Sequence, residues 1–109
     1  MKKYEVLLVC GGGFSSGFMA KALRDAAKQK GIEMHVQAKS ETALEDYIDE
    51  IDAVMVGPHM AYVMEEAKAL TDEYGVTLVL MKPDYYKSLD GKACLEHLLE
   101  CLKEDGKYE

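Results

Sequence analysis

The chain has 109 residues, 49% of them hydrophobic and 30% charged, and a net charge of −7 at pH 7. That length holds one domain and no more. No apolar run reaches the ~18 residues of a membrane span, and the acidic balance speaks against nucleic acid or an anionic membrane surface as a main partner. The start, Met1-Lys2-Lys3-Tyr4, leads into a strand without a signal-peptide core, which predicts a cytoplasmic protein.

Tyr4–Val9 is a nearly continuous apolar run with β-branched members, the pattern of a strand covered on both faces. The glycine-rich stretch Cys10-Gly11-Gly12-Gly13-Phe14-Ser15-Ser16-Gly17 follows. Ser15 or Ser16 is expected to cap a helix running to about Lys30, with Phe18, Met19, Ala22, Leu23 and Ala26 at helical spacing and Gly31 as its stop. Ile32, Met34, Val36 and Ala38 alternate with polar residues, predicting a half-buried edge strand. Ser40 or Thr42 should begin a short helix, Thr42 and Glu45 fitting a capping box.

Residues 51–56 read as a third strand ending at Gly57-Pro58. A helix is expected from about Met60, with Met60, Val63, Met64, Ala67, Leu70 and Tyr74 on one side and Gly75 closing it. Residues 76–81 form the fourth strand, 82–91 a loop, 92–103 the last helix, and 104–109 a frayed polar end. The expected fold is an α/β three-layer sandwich: a four-stranded parallel sheet, order 2-1-3-4, with helices on both faces. Ligands bind such sheets beyond the carboxyl ends of the strands, where strand order reverses. Three loops lie there, carrying residues 10–17, then Gly57-Pro58-His59, then residues 83–86.

The first loop carries the chemistry. A strand ends, glycines allow a tight turn, and a helix opens, so several backbone N–H groups face one point at the positive helix end, a ready anion site. The same field favours thiolate over thiol at Cys10, a nucleophile beside a phosphate cradle. A covalent phosphocysteine follows from that pairing. Cys94 and Cys101, seven residues apart on one helix, are ~10 Å apart along it, too far for a disulfide, and sit among leucines as inert core thiols.

Other chemistries fit less well. A G-x-G-x-x-G pattern would need a glycine at Ser16, and Lys39 stands where an acidic ribose ligand would be, so no dinucleotide cofactor is expected. No zinc spacing is present and no metal is expected. A cysteine phosphatase wants C-x-x-x-x-x-R, and Ser16 occupies the arginine position. A cysteinyl phosphate lacking that clamp suits a carrier better than a hydrolase. A small phosphatase or arsenate-reductase-like hydrolase and a non-catalytic binding or regulatory domain remain the alternatives.

The whole chain resembles the enzyme IIB component of the bacterial sugar phosphotransferase system, lactose/cellobiose class. The residues that carry the resemblance are the strand, the C-G-G-G-F-S-S-G loop, Gly57-Pro58-His59-Met60-Ala61-Tyr62, and Tyr86 followed by Leu89-Asp90-Gly91. The family's loop reads more like C-S-A-G-M-S-T-S, so Gly11, Gly12 and Phe14 are variants, and His59 stands where the family tends to have glutamine. The resemblance implies that a phosphohistidine of enzyme IIA passes its phosphoryl group to Cys10. The loop from Gly11, Gly12 and Gly13 through Phe14, Ser15, Ser16 and Gly17 would hold the oxygens. A sugar bound at the membrane permease, enzyme IIC, then takes the group. Tyr86 matches a tyrosine placed over the site mouth. His59 sits at the same mouth, where it could donate to a phosphate, cap the following helix or face solvent. Lys82 and Lys87 are expected near the mouth, and Phe14, Met60 and Tyr62 as an apolar docking patch. A monomer working transiently at the inner membrane face is expected.

Overall fold

The apolar run at the start of the chain becomes the centre of the molecule in the computed structural model, which describes residues 3–9 and 14–108. Among those residues, β1 (Tyr4–Val9), β2 (Met34–Lys39), β3 (Ala53–Val56) and β4 (Thr77–Leu80) form one parallel sheet in the order β2-β1-β3-β4. The registers are Val9 with Lys39 and Val56, and Val56 with Leu80. The chain therefore steps from β1 out to β2 and returns across β1 to β3, so strand order reverses beside β1. β2 alternates in burial as an edge strand should, while β3 is buried throughout.

Side-chain alternation along β1 assigns the two helix layers. Val6 and Leu8 face α1 (Phe14–Lys30) and α5 (Gly91–Glu104), packing with Met19, Leu23, Leu95 and Leu98. Leu7 and Val9 face the layer of α2 (Leu44–Tyr47) and α3 (Met64–Tyr74), packing with Leu44, Val63 and Ala67. The two apolar faces of the sheet make two cores, the three-layer α/β sandwich that the sequence predicts. Gly91 permits the closest approach between layers. A Cβ there would collide with the Ala22 carbonyl, so α5 can start against α1 only with glycine at that position.

Several local expectations are corrected. α1 opens at Phe14, so Ser15 and Ser16 lie in its first turn and do not precede it. The Thr42–Glu45 capping box does not form. A 3-10 turn, Glu41–Ala43, comes first, α2 has Ala43 at its N-cap with no side-chain cap, and the Ser40 and Thr42 hydroxyls bond each other at 2.8 Å. Between β3 and α3 the chain runs as a 3-10 segment, Pro58–Val63, interrupted by the non-helical backbone of Met60 (φ −115°, ψ 30°), and the α-helix starts at Met64. Tyr74 and Phe18 point outward and are not in the apolar stripes.

The stretch 82–91 contains a short helix, α4 (Pro83–Ser88), with proline at its first turn and Leu89 left-handed at φ 55° as its stop. Asp90 then caps α5 by accepting from the Ala93 amide at 3.2 Å. Nor is the described part of the C-terminal segment, residues 104–108, frayed; Glu109 lies outside the described residues. Gly106 and Lys107 close α5 by donating to the Lys103 and Leu102 carbonyls, Lys107 Nζ donates to the Asp52 and Gly75 carbonyls, and Tyr4 Oη donates to the Lys107 carbonyl. No helix among the described residues is long and apolar enough to cross a membrane.

Candidate functional site

Parallel pairing brings three strand ends to one edge. The ladder continues past the strands, with the Gly57 amide donating to the Val9 carbonyl at 2.9 Å and the Met81 amide to the Val56 carbonyl at 2.8 Å. Residues 57–59 are thereby held beside the point where β1 ends and the loop begins. Cys10, Gly11, Gly12 and Gly13 lie outside the described residues. The backbone of Phe14, Ser15 and Ser16 opens α1, and Gly17 sits exposed in its first turn with open space where a Cβ would stand. Packing among the described residues does not demand glycine at 17.

His59 and Tyr86 meet at this edge although they are far apart in sequence. Their ring centroids are 5.7 Å apart at an interplanar angle of 48°. Of the roles open to it, His59 is not a helix cap. Gly57 holds that position, without a side-chain cap, and His59 is an exposed imidazole against a half-buried tyrosine. Such an imidazole can give or take a proton, and the tyrosine body can shield one side of the edge from water.

α4 positions Tyr86, and what positions α4 has no signal in the sequence. Its Tyr85 is buried at 5% exposure, and the phenol lies 2.6 Å from Nδ1 of His97 on α5, the rings packed edge-on at 5.8 Å. Burial pushes the Tyr85 phenol well above its ordinary range, so it stays protonated, while the Lys82 backbone N–H acts in the opposite direction. Burial, followed by the nearby Lys82 charge, pushes the His97 imidazole below its usual value, against Glu100 and Glu104. A pair twelve residues apart with no shared period leaves no trace in a single sequence.

Some expected mouth residues lie elsewhere. Met60 is 1% exposed and adds nothing to a surface patch, whereas Tyr62 is 74% exposed. Phe18, expected inside, is 58% exposed near the start of α1. Lys82 lines a cavity of about 380 Å³ between α4 and α5 and bears on His97. Lys87 is exposed in the last turn of α4. Cys94 is buried, its thiol pushed up to about 12 by desolvation, and burial raises Cys101 too, so both are poor nucleophiles. Among the described residues no group of three or more His, Cys, Asp or Glu side chains could hold a metal ion.

Comparison with known proteins points the same way. The family model for the lactose/cellobiose-specific IIB subunit of the phosphotransferase system matches residues 5–97. A lactose-specific EIICB component from Streptococcus mutans is 35% identical over 102 residues, which are 92% of this chain and 18% of that protein. The chain thus spans under a fifth of the length of that relative. An oligo-beta-mannoside-specific EIIB component from Bacillus subtilis is 26% identical over 102 residues, 94% of this chain and 97% of that one. The fold is shared with the lactose-specific IIB domain of Streptococcus pneumoniae, with a TM-score of 0.82 at 22% identity over 91% of this chain and 97% of that one. It is shared also with a cellobiose-specific IIB component of Borrelia burgdorferi, with a TM-score of 0.77 at 23% identity over 95% of each chain.

Proposed function

Since the chain belongs to the lactose/cellobiose-specific IIB family of the sugar phosphotransferase system, we propose that Cys10 is its phosphoryl carrier and that residues 1–109 act as one IIB domain. The Cys10 thiolate attacks phosphorus of a phosphohistidine on enzyme IIA. The S–P bond forms as the N–P bond breaks, and the imidazole leaves. A hydroxyl of a cellobiose-, chitobiose- or lactose-type sugar at the permease, enzyme IIC, then attacks phosphorus. Its O–P bond replaces S–P, the hydroxyl proton passes to a base or to water, and the thiolate is regenerated. The protein needs no cofactor for either step and works as a monomer at the inner membrane face.

One observation carries this reading: Cys10 directly follows β1 at the point of strand reversal, and a seventeen-residue helix begins at Phe14. Amides of the first turn of α1 have no carbonyl partner within the helix, and its positive end favours both thiolate and phosphate. Neutral amides hold a phosphoryl group less firmly than an arginine fork, which suits a group that must be handed on. His59 and Tyr86 are in contact at the edge where β1 ends, and in this reading they form one wall of the mouth.

Incubation with enzyme IIA, the general phosphotransferase proteins and phosphoenolpyruvate should add one phosphate mass to the protein and none to Cys10→Ala. Retention of the added mass by Cys10→Ala would overturn the assignment. Steady release of inorganic phosphate from nitrophenyl phosphate would point to a hydrolase instead.

A further inference from the structure

α4 carries Tyr86, and little fastens it to the body of the protein. Six residues are too few for a helix to stand alone, so packing must hold it. Tyr85 is its one buried residue, with Tyr86 half-buried against the same core. Elsewhere α4 and α5 do not close on each other, and the cavity of about 380 Å³ lies between them. Carboxylates line it from both sides, Asp84 from α4, Glu96 and Glu100 from α5, and Asp90 between the helices, so charge does not draw the walls together. The backbone is strained where α4 stops. Leu89, at φ 55° and ψ 40°, is the one non-glycine residue of positive φ among the described residues, and its Cβ crowds the following carbonyl there. The turn is closed onto Tyr85 itself, whose carbonyl accepts from the amides of both Leu89 and Asp90.

We infer that α4 is a lid, held shut by the Tyr85–His97 bond with Tyr86 laid on His59, and sprung at Leu89. Resting on the phosphoryl relay read above, the shut lid shelters the phosphocysteine from water between the two transfers, and the open lid admits a partner. Undocking gives up the 2.6 Å bond and the burial of one ring, which places α4 among the elements that open before the rest of the fold. Strain at Leu89 pushes the same way, since it is relieved once the docked anchor no longer imposes it. The hinges are extended Lys82, before Pro83, and Leu89, so β4 and α5 stay in place, α5 keeping its own cap in Asp90. The lid shuts on a fixed point. His59 comes two residues after Gly57, the Gly57 amide is bonded to the Val9 carbonyl, and Cys10 is the next residue of the chain after Val9. Enzyme IIA and the permease must reach the same sulfur in turn, and a cover that opens without unfolding its neighbours serves both.

Native-state hydrogen exchange on the full chain tests the lid. The amides of Tyr86, Leu89 and Asp90, bonded to the Lys82 and Tyr85 carbonyls, should open together, about tenfold or more as often as those of Leu98 and Leu99 on α5. Dilute urea should leave that opening unchanged, because it exposes little surface, while exchange in α5 speeds up. Tyr85→Phe should raise the opening about three- to tenfold, and Leu89→Gly should lower it about threefold. His97→Leu removes the same bond from the other side and serves if Tyr85→Phe does not fold. Opening of these amides only together with α5, at the same urea dependence, overturns the lid, and so does an unchanged opening in both anchor variants. No fall in Leu89→Gly overturns the sprung hinge. For the sheltering, protein phosphorylated by enzyme IIA is left in buffer and its loss of phosphate, water oxygen displacing the thiolate from phosphorus, is followed by mass. That loss should be about three- to tenfold faster in Tyr85→Phe and slower in Leu89→Gly, in step with the opening. Loss at the parental rate in both overturns the sheltering. A parent that takes up no phosphate at Cys10 would instead sink the relay and the sheltering with it, while exchange still decides whether α4 opens.

Discussion

The sheet is covered differently on its two faces. Toward α1 and α5 the layer is closed: the two helices pack along each other, α1 over β1 and β2 and α5 over β4, Gly91 lets the backbones meet, and Cys94, Leu95, Leu98 and Leu102 fill the seam. Toward α2 and α3 the helices are shorter, begin through 3-10 turns and stay far enough apart to leave a groove over the strand ends. One face is closed by helix against helix, while the other is split over the strand ends, although Val9 and Val56 beneath the split stay buried. Both reach the edge where β1 ends, the closed face through α4 and Tyr86, the split face through Val9 and Val56.

The contrast breaks most visibly on truncation. Leu98, with no exposed surface in the closed seam, should cost ~3–5 kcal/mol as Leu98→Ala, because the rigid helix pair cannot collapse into the void. Leu44, buried at 8% exposure on the short α2, should cost less, ~2 kcal/mol as Leu44→Ala, since the short helix that carries it can settle into the void. Urea unfolding of the two variants checks the difference, and equal costs would remove the distinction between the faces.

Gly91→Ala tests the close approach alone. The added methyl meets backbone, so α1 and α5 must separate, at a cost of ~1–3 kcal/mol and a fall in Tm on the order of 5–15 °C. The same substitution at Gly17, where the space is open, should not lower stability, since alanine is the better helix former. Thermal melts by circular dichroism compare the two.

The smallest effect comes from the Tyr85–His97 bond that ties α4 to the closed face. The His97 imidazole is held below its usual value of 6.5, by burial first and then by Lys82. The unfolded chain therefore binds more protons between that folded pKa and about 6.5. Its contribution is fully present above about 6.5 and is lost as pH falls through the folded value. Because much of the ring is exposed, solvent screening limits the change to a few tenths of a kcal/mol. Comparison of urea midpoints for the parent and His97→Gln between pH 7 and 5 should show the extra slope in the parent only.

The elements of the closed face were legible from residue spacing, because long helices and buried strands carry their own period: Leu95, Leu98, Leu99 and Leu102 on α5, Val6 and Leu8 on β1. The short pieces were not. α2 and the 3-10 segments hold too few residues to show a period, and α4 hides between a proline and a left-handed leucine. Phe18 illustrates a different failure, since its spacing fits the apolar stripe of α1 while its place near the helix start leaves it 58% exposed.

The amino-acid order alone determined the parallel βα alternation, the helix stops at Gly31 and Gly75, and the placement of Cys10 at the carboxyl end of the first strand. Each of these is a local property, set by side-chain period, backbone freedom and the need to cover two apolar sheet faces. Tertiary structure decided what meets across elements: His59 with Tyr86, Tyr85 with His97, and Gly91 with Ala22. Those meetings depend on how far each helix slides and tilts on the sheet. That offset is fixed by the sum of all packing contacts, and no single stretch of chain records it.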